Sequence, residues 1–222
     1  MGLFDKQKKS ESAGALSDDV VTKLVSQLMA AGIDGVGPLK SAQAVADKAR
    51  AKAAGNTEAA IKDVVGDHVK AATAGGFVTG LGGFFTLPVA LPANLIEFYV
   101  LATRMSAAVA QLRGYDLARP EVRAAVLLVL TGAKAEEVLR KVGMGGALGG
   151  SITQVALGKL PAAALMVINK GVGFQIAKST TTKLLPKLGK GIPVAGGLVG
   201  GSLDAWMMNR IASHARKEFP KI

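Results

Sequence analysis

A long uncharged run, residues 71–96, constrains this chain more than any other part of its sequence. Lys70 precedes the run and Glu97 follows it, and the run exceeds the ~20 apolar residues that a transmembrane helix needs. Pro88 and Pro92 interrupt it, because each lacks a backbone amide and turns the preceding residue away from helical geometry. We therefore expect a central, proline-broken apolar hairpin, buried or re-entrant, and keep a membrane span as the alternative.

The large apolar side chains on both sides of Pro88 could serve one of two roles. A proline-broken segment cannot satisfy its backbone in lipid without partners, so we expect it to fold back at one end of a helical bundle. There its side chains either close the core or form an apolar tip that reaches the acyl boundary of a membrane. The candidate lipid-contact residues of this segment are Phe84, Phe85, Leu87, Val89 and Leu91.

Hydrophobic residues elsewhere recur at helical spacing. Val21, Leu24, Val25 and Leu28 lie at i, i+3, i+4 and i+7, and no segment shows the alternation of a convincing strand. The sequence therefore predicts an all-α fold, a single compact multi-helix domain over residues 17–222. The polar residues 1–16 are predicted to form a disordered N-terminal tail.

Capping and helix-breaking residues predict several helix boundaries. Ser17 is expected to cap the first helix, which Gly32 would end. A second helix is expected over residues 38–55, with Asn56 as the cap of the third. Pro120 is expected in the first turn of a later helix.

Glycines recur at a spacing of four residues, which places both members of a pair on one helix face. The missing side chains leave a groove in which another backbone can pack closely, as in membrane helices. We expect such glycine contacts to hold the helices together, either in a membrane or in a tight soluble bundle. The pairs are Gly76/Gly80, Gly145/Gly149, Gly146/Gly150, Gly196/Gly200 and Gly197/Gly201.

The chain is strongly basic, with a formal net charge of +11 and a pI of about 10.0. Residues 159–222 carry +8 of this charge. Such a charge predicts attraction to an anionic partner. With one Trp, two Tyr and no recognisable reading motif, nucleic acid is not the expected partner. The spacing of the basic residues suits a helix lying on anionic lipid, and the candidate contacts are Lys178, Lys183, Lys187 and Lys190.

No recognisable catalytic or cofactor-binding motif is present. The chain has no cysteine, which excludes disulfides and thiol chemistry. Gly158 and Lys159 are followed by Leu160 rather than Ser or Thr, so they form no Walker motif. His68 and His214 lack partners at metal-ligand spacing, and we expect both to be surface or capping residues. We therefore expect no catalytic residue, metal or cofactor.

Four polar residues lie within apolar helical stretches and are candidates for buried positions. Burying a charge is costly unless the group is paired, so buried ion pairing is the expected role. A converging polar triad of a hydrolase is the alternative. The residues are Glu97, Lys170, Asp204 and Asn209.

Two stretches of the chain resemble the bacterial EcsC family. One is "AGGFVTGLGGFFTLPVALPANLIEFYVLATRMSAAVAQLRGYDLARPEVRAAVLLVLTG", and the other is "KGIPVAGGLVGGSLDAWMMNRIASHARKEF". The resemblance covers roughly residues 50–219 and implies an all-α bacterial protein that is cytoplasmic or peripherally membrane-associated. Because the family is named for a protein encoded beside an ABC transporter, a link to such a transport system is also implied. The resemblance supplies no mechanism and no catalytic residue.

High apolar content, glycine contacts and a basic C-terminal third occur together without catalytic chemistry. Half of the residues are hydrophobic and the mean hydropathy is +0.35. The leading hypothesis is a non-enzymatic protein that binds lipid or another apolar ligand at an anionic membrane. The alternatives are a membrane-inserting helical protein and a hydrolase of lipid or peptide.

Overall fold

The computed structural model describes residues 17–74, 93–144, 151–188 and 196–222, with side chains described except at residues 93, 179–188 and 196–200. These residues are predominantly helical and contain no strand, which confirms the all-α prediction. The first helix continues into a π-helical turn, Met29–Asp34, and a 3₁₀ turn, Gly132–Lys134, precedes α6. The α-helices are α1 Asp18–Leu28, α2 Ala42–Lys52, α3 Thr57–Ala74, α4 Ala93–Leu112, α5 Pro120–Thr131, α6 Ala135–Lys141, α7 Ile152–Leu157, α8 Ala162–Leu188 and α9 Gly196–Glu218.

Side-chain caps set the starts of α2 and α3. Asn56 accepts a hydrogen bond from the Ala59 amide at 3.0 Å, as predicted. The predicted start of α2 at Pro38 is wrong, because Ser41 occupies the cap and its hydroxyl accepts from the Ala44 amide at 3.2 Å. Ser17 occupies the cap position of α1, but its side chain accepts no capping hydrogen bond.

The first helical segment does not end at Gly32 as expected. It passes through Gly32 in the π-helical turn and stops before Gly35, whose φ of +81° is a left-handed conformation that favours glycine. A Cβ at Gly32 would lie only 2.6 Å from Cβ of Thr103 in α4. Gly32 therefore serves as a close packing point between the π-helical turn and α4 rather than as a helix stop.

Helices α4 and α5 form the centre of the protein. α4 packs against α2, α3, α5, α9 and the π-helical turn, and α5 packs against α4, α7, α8 and α9. Residues 122–130 of α5 are buried apart from Arg123, whose guanidinium forms an ion pair with Asp34. Within the described ranges, residues 94–112 form the single stretch long and apolar enough to cross a membrane, and 89% of this stretch is buried inside the protein. Its apolar character is thus explained by its place in the core.

Helices α3 and α4 run antiparallel, and α9 lies along both. Arg113 near the end of α4 pairs with Glu58 at the start of α3 at 2.8 Å. Gly201 in the first turns of α9 lies against Thr73 in the last turn of α3. We call the region around Thr73, Gly201 and the start of α4 the Thr73 end of the bundle. At this end the chain leaves α3 to enter residues 75–92, which lie outside the described part of the structure.

The opposite end is closed by the residues that follow α9. The Ile222 amide donates to the Arg113 carbonyl at 3.2 Å. Phe219 is fully buried and meets Tyr115 edge to face, with ring centroids 5.0 Å apart. We call this region the Phe219 end.

Two glycines of α8 also make close contacts with neighbouring helices. A Cβ at Gly171 would lie 2.8 Å from Val138 in α6, and a Cβ at Gly173 would lie 2.5 Å from Val21 in α1. Residues two apart point to nearly opposite sides of a helix, so α8 lies closely between α6 and α1. Neither glycine belongs to a predicted pair. Of the predicted pairs, only Gly201 has described surroundings, and its contacts with Thr73 begin at an ordinary 3.4 Å.

Candidate functional site

The N-terminal half of α9 exposes a group of large side chains. Leu203 and Trp206 are 54% and 57% exposed, and they lie one turn apart on the same helix face. The guanidinium of Arg210, one turn further on, lies 5.4 Å from the centre of the Trp206 ring, a cation–π arrangement. The other face of α9 carries buried residues, among them Met208 and Ala215. We call Leu203, Trp206 and Arg210 the α9 face.

A second exposed apolar group lies on α8. Met166 is 57% exposed, and Val167 and Phe174 are about 40% exposed. Lys170 lies between them and pairs with Asp18 of α1 at 2.6 Å. Lys178, a candidate lipid contact, is exposed one turn after Phe174. This face therefore also combines apolar and basic side chains.

The side chains of the remaining candidate lipid contacts lie outside the described part of the structure. Lys183 and Lys187 lie on the helical backbone of α8, but their side chains are outside the described part of the structure. Lys190 and the predicted apolar hairpin lie wholly outside the described residues. The candidate lipid contacts of the hairpin are Phe84, Phe85, Leu87, Val89 and Leu91.

The four candidate buried polar residues occupy different environments. Glu97 is buried in α4, as expected. Asn209 is exposed on α9, where its side-chain amide donates to the Ala205 carbonyl at 2.9 Å, so its predicted burial is wrong. Lys170 and Asp204 are partly exposed rather than buried, although desolvation still raises the pKa of the Asp204 carboxyl. The four residues belong to three helices, α4, α8 and α9.

His68 is buried, with only 5% of its surface exposed, which corrects the expectation of a surface or capping histidine. Its Nδ1 lies 2.8 Å from the Val64 carbonyl oxygen, and its Nε2 lies 3.4 Å from Nε of Arg104. Since the guanidinium can only donate, Nε2 accepts and Nδ1 donates, which defines a neutral ring. The sequence held a signal for this burial, because His68 follows Ile61 and Val64 at helical spacing on the buried stripe of α3.

The pKa of His68 is lowered from 6.5 to about 4, chiefly by burial, with the hydrogen bond to the Val64 carbonyl opposing the shift and the charge of Arg104 adding to it. Burial also lowers the pKa of Arg104. His68 is therefore neutral at physiological pH, and its hydrogen bond with Arg104 joins α3 to α4. No group of three or more His, Asp or Glu side chains suited to a metal ion occurs among the described residues.

We expect His68 to make the protein less stable in acid. Between pH 6.5 and about 4 the unfolded state binds the proton that the folded state excludes, so the stabilisation is complete above pH 6.5 and is lost as the pH falls toward 4. The full effect is on the order of 3 kcal/mol. Urea unfolding of the parent and of His68→Gln across this range should show that the free energy of unfolding of the parent falls relative to that of the variant as the pH is lowered. A stability difference that does not change with pH would show that His68 titrates normally.

A cavity of about 400 Å³ lies near the Phe219 end. Its buried apolar wall includes Leu139 of α6 and Ile152 of α7, and its polar side includes His214 and Lys217 of α9. The other lining residues are Gly132, Ala133, Ala135, Glu136, Ser151 and Glu218. This volume falls within the range of small-molecule sites.

A family model described as the EcsC protein family matches residues 13–221, nearly the whole chain. No curated protein and no solved structure matches the chain significantly.

Proposed function

This chain belongs to the EcsC protein family, and from this membership together with the α9 face we propose that it is a non-enzymatic protein that binds anionic membranes peripherally. The observation that carries the proposal is the position of Trp206. It is the one tryptophan of the chain, and it is more than half exposed beside Leu203 and Arg210. A cytoplasmic location and a link to an ABC transport system are part of the proposal and rest on the family resemblance alone.

The side chains of the α9 face are those expected at a membrane interface. Tryptophan has an apolar body and a polar indole N–H, so it is favoured where acyl chains meet headgroups. Arg210 can keep its charge at the headgroup level while its stem lies along apolar surface. Each basic residue near an anionic surface contributes about 1 kcal/mol of attraction, and the net charge of +11 adds long-range attraction.

The position of the α9 face in the bundle is consistent with this role. Leu203 lies within one turn of Gly201 and therefore at the Thr73 end. Residues 75–92, which carry the predicted apolar hairpin, join α3 to α4 at this same end. Residues 189–195, which include Lys190, precede α9 in the sequence and lie outside the described part of the structure. The α9 face thus begins at the end of the bundle where the chain leaves α3 and enters α4.

A membrane-inserting protein is the alternative, and the position of α4 makes it the weaker one. A helix that crosses a bilayer faces lipid, whereas residues 94–112 of α4 face other helices of the same domain. Carbonate extraction separates the two hypotheses, because a peripheral protein is released and an inserted one is retained.

We expect the intrinsic fluorescence of Trp206 to shift to shorter wavelength on addition of phosphatidylserine-containing vesicles and to stay unchanged with phosphatidylcholine vesicles. Because the chain has one tryptophan, the signal reports on the α9 face alone. In vesicle sedimentation, Trp206→Ser should weaken binding about tenfold through the loss of apolar contact. Arg210→Gln should weaken it about fivefold.

Met166→Ser is the matched control for Trp206→Ser, because both parent side chains are 57% exposed and Met166 lies on the first turns of α8. This control should bind vesicles like the parent. Equal binding of the parent to neutral and anionic vesicles would contradict the proposal, as would undiminished binding of Trp206→Ser.

A further inference from the structure

The exposed apolar side chains of α8 form a stripe that the proposed membrane contact does not use. Met166 and Val167 lie about one turn before Lys170, and Phe174 lies one turn after it, so the four side chains share one side of the helix. We call these four residues the α8 face. At a rise of 1.5 Å per residue the face is about 12 Å long. Adjacent exposed apolar side chains of this kind indicate a contact site.

The α8 face is bordered by a helix on each side. Gly173, toward one side, packs against Val21 of α1, and Gly171, toward the other side, packs against Val138 of α6. What stays open between α1 and α6 is therefore a strip one helix wide, about 10 Å. A strip of this width suits a single segment of chain better than a broad protein surface.

The charges around the α8 face cancel. Lys170 at its centre pairs with Asp18 of α1 at 2.6 Å. Glu137 of α6 accepts a hydrogen bond from the uncharged side chain of Gln175 at 3.0 Å, and Lys178 adds one positive charge at the C-terminal end of the face. In a chain with a net charge of +11, this is one surface that neither attracts anionic lipid nor repels a basic segment.

The start of the chain carries side chains that match this strip. Leu3 and Phe4 are large and apolar, and three lysines follow within residues 6–9. The match to the family model begins only at residue 13. The apolar start can therefore be altered without changing any residue of the matched domain.

The same segment joins the domain beside the α8 face. Ser17 is followed by Asp18, whose carboxylate contacts Lys170 at the centre of the face. Residues 5–16 link Phe4 to this point. A flexible chain of that length spans about 20 Å on average, which is more than the about 6 Å between Lys170 and either end of the face. The short tether also gives the segment a millimolar effective concentration, so a weak contact is sufficient.

We propose that residues 1–9 dock on the α8 face of the same molecule. The Leu3 and Phe4 side chains lie on the three apolar residues of the face, and the lysines that follow lie toward Glu137. Apolar surface leaves water on both sides of this contact, which provides the attraction. The inference assigns an occupant to a face that the membrane contact leaves open, and it does not depend on the membrane proposal.

Moving the tryptophan into this segment tests the contact. In the variant Trp206→Phe with Phe4→Trp, the one tryptophan of the chain reports on the segment. Without vesicles we expect short-wavelength emission that acrylamide quenches poorly. Adding Phe174→Ser should lower the ratio of docked to free segment about tenfold and make the indole accessible to acrylamide. The matched control is Leu203→Ser, which removes an exposed apolar side chain from α9 and should leave the emission unchanged.

The melting temperature of each variant checks that the domain stays folded. Emission at the wavelength of a fully exposed indole before Phe174→Ser is added would overturn the proposal, as would an equal effect of Leu203→Ser.

Two further measurements identify the occupant. Emission that does not change with protein concentration supports a contact within one molecule, whereas a shift that develops only on concentration would mean docking on a second copy. A shift that appears only with phosphatidylserine vesicles would assign the segment to the membrane. Either of these two results would overturn the proposal. Sedimentation of the parent with vesicles tests the α9 face separately, so failure of this contact and failure of the membrane proposal give different results.

Discussion

Replacement of Gly173 by leucine should lower the free energy of unfolding by about 3 kcal/mol, at the upper end of what overpacking a core costs. A Cβ at this position would lie 2.5 Å from Cγ1 of Val21 and 3.2 Å from the Val21 carbonyl oxygen. A valine rotamer change relieves only the first contact, because the carbonyl oxygen belongs to the backbone of α1. Helices α8 and α1 would have to separate, and the melting temperature should fall by roughly 10 °C.

Gly66→Leu is the matched control for this substitution. Gly66 also lies inside a helix, α3, but a Cβ there would meet no atom within 4 Å. The same change should therefore leave stability unchanged or raise it by up to about 1 kcal/mol, the helix propensity that glycine lacks. The two variants together separate helix propensity from packing. A melting temperature of Gly173→Leu at or above that of the parent would show that α8 and α1 do not pack as described.

Phe219→Ala should destabilise the protein by about 3–5 kcal/mol, the range for removing a fully buried phenylalanine. Phe219 is the aromatic partner of Tyr115 and closes the Phe219 end, where α9 meets the turn between α4 and α5. Truncation leaves a cavity lined by Tyr115 and also removes the edge-to-face contact. Urea denaturation gives the free energy directly, provided that the slope of the transition is unchanged.

Two further variants check the cause of this loss. Phe174→Ala, at a site 39% exposed on α8, should cost less than about 1 kcal/mol because the ring already contacts water. Tyr115→Phe should be close to neutral, since the Tyr115 hydroxyl is buried with no hydrogen-bond partner among the described residues. A large effect of Tyr115→Phe would mean that the hydroxyl, rather than the ring, holds this end together.

The helical class was predictable because helical spacing is repeated over most of the chain. Val21, Leu24 and Leu28 of α1 are buried as their spacing predicts. The start of α3 was predictable for a different reason, since Asn56 caps it through a local hydrogen bond that depends on neighbouring residues alone. Capping and helical spacing can be read from the sequence because both depend on residues that are close together in the chain.

Close packing was not predictable, because it depends on which helices meet. The spacing of four residues pointed to pairs such as Gly197 and Gly201, whereas the tightest described contacts are at Gly171, Gly173 and Gly32. In α8, two glycines two residues apart allow close packing against two different helices, α6 and α1. This spacing could be interpreted only once the positions of those two helices were known. The apolar length of α4 was likewise ambiguous, since a core helix and a membrane span need the same composition.

The polar residues show the same limit. The lack of metal-ligand spacing around His68 carries no information about burial, whereas its position on the stripe of Ile61 and Val64 predicts burial. The apolar residues around Asn209 in the sequence predict burial, yet its side chain lies on the exposed side of α9. The α9 face could not be predicted from the sequence, because large apolar residues such as Leu203 and Trp206 are usually buried and the buried side of α9 is known only from the structure.

The central position of α4 and α5 also makes these two helices harder to unfold locally than the helices at the surface. Backbone amides in these two helices are enclosed by the rest of the domain, so their exchange with solvent requires an opening as large as global unfolding. The exposed faces of α8 and α9 lie outside this slow-exchanging unit, and local fluctuations there involve far fewer buried contacts. Motion that accompanies the proposed contact with a lipid surface can therefore be confined to the exposed helices, while α4 and α5 keep their positions.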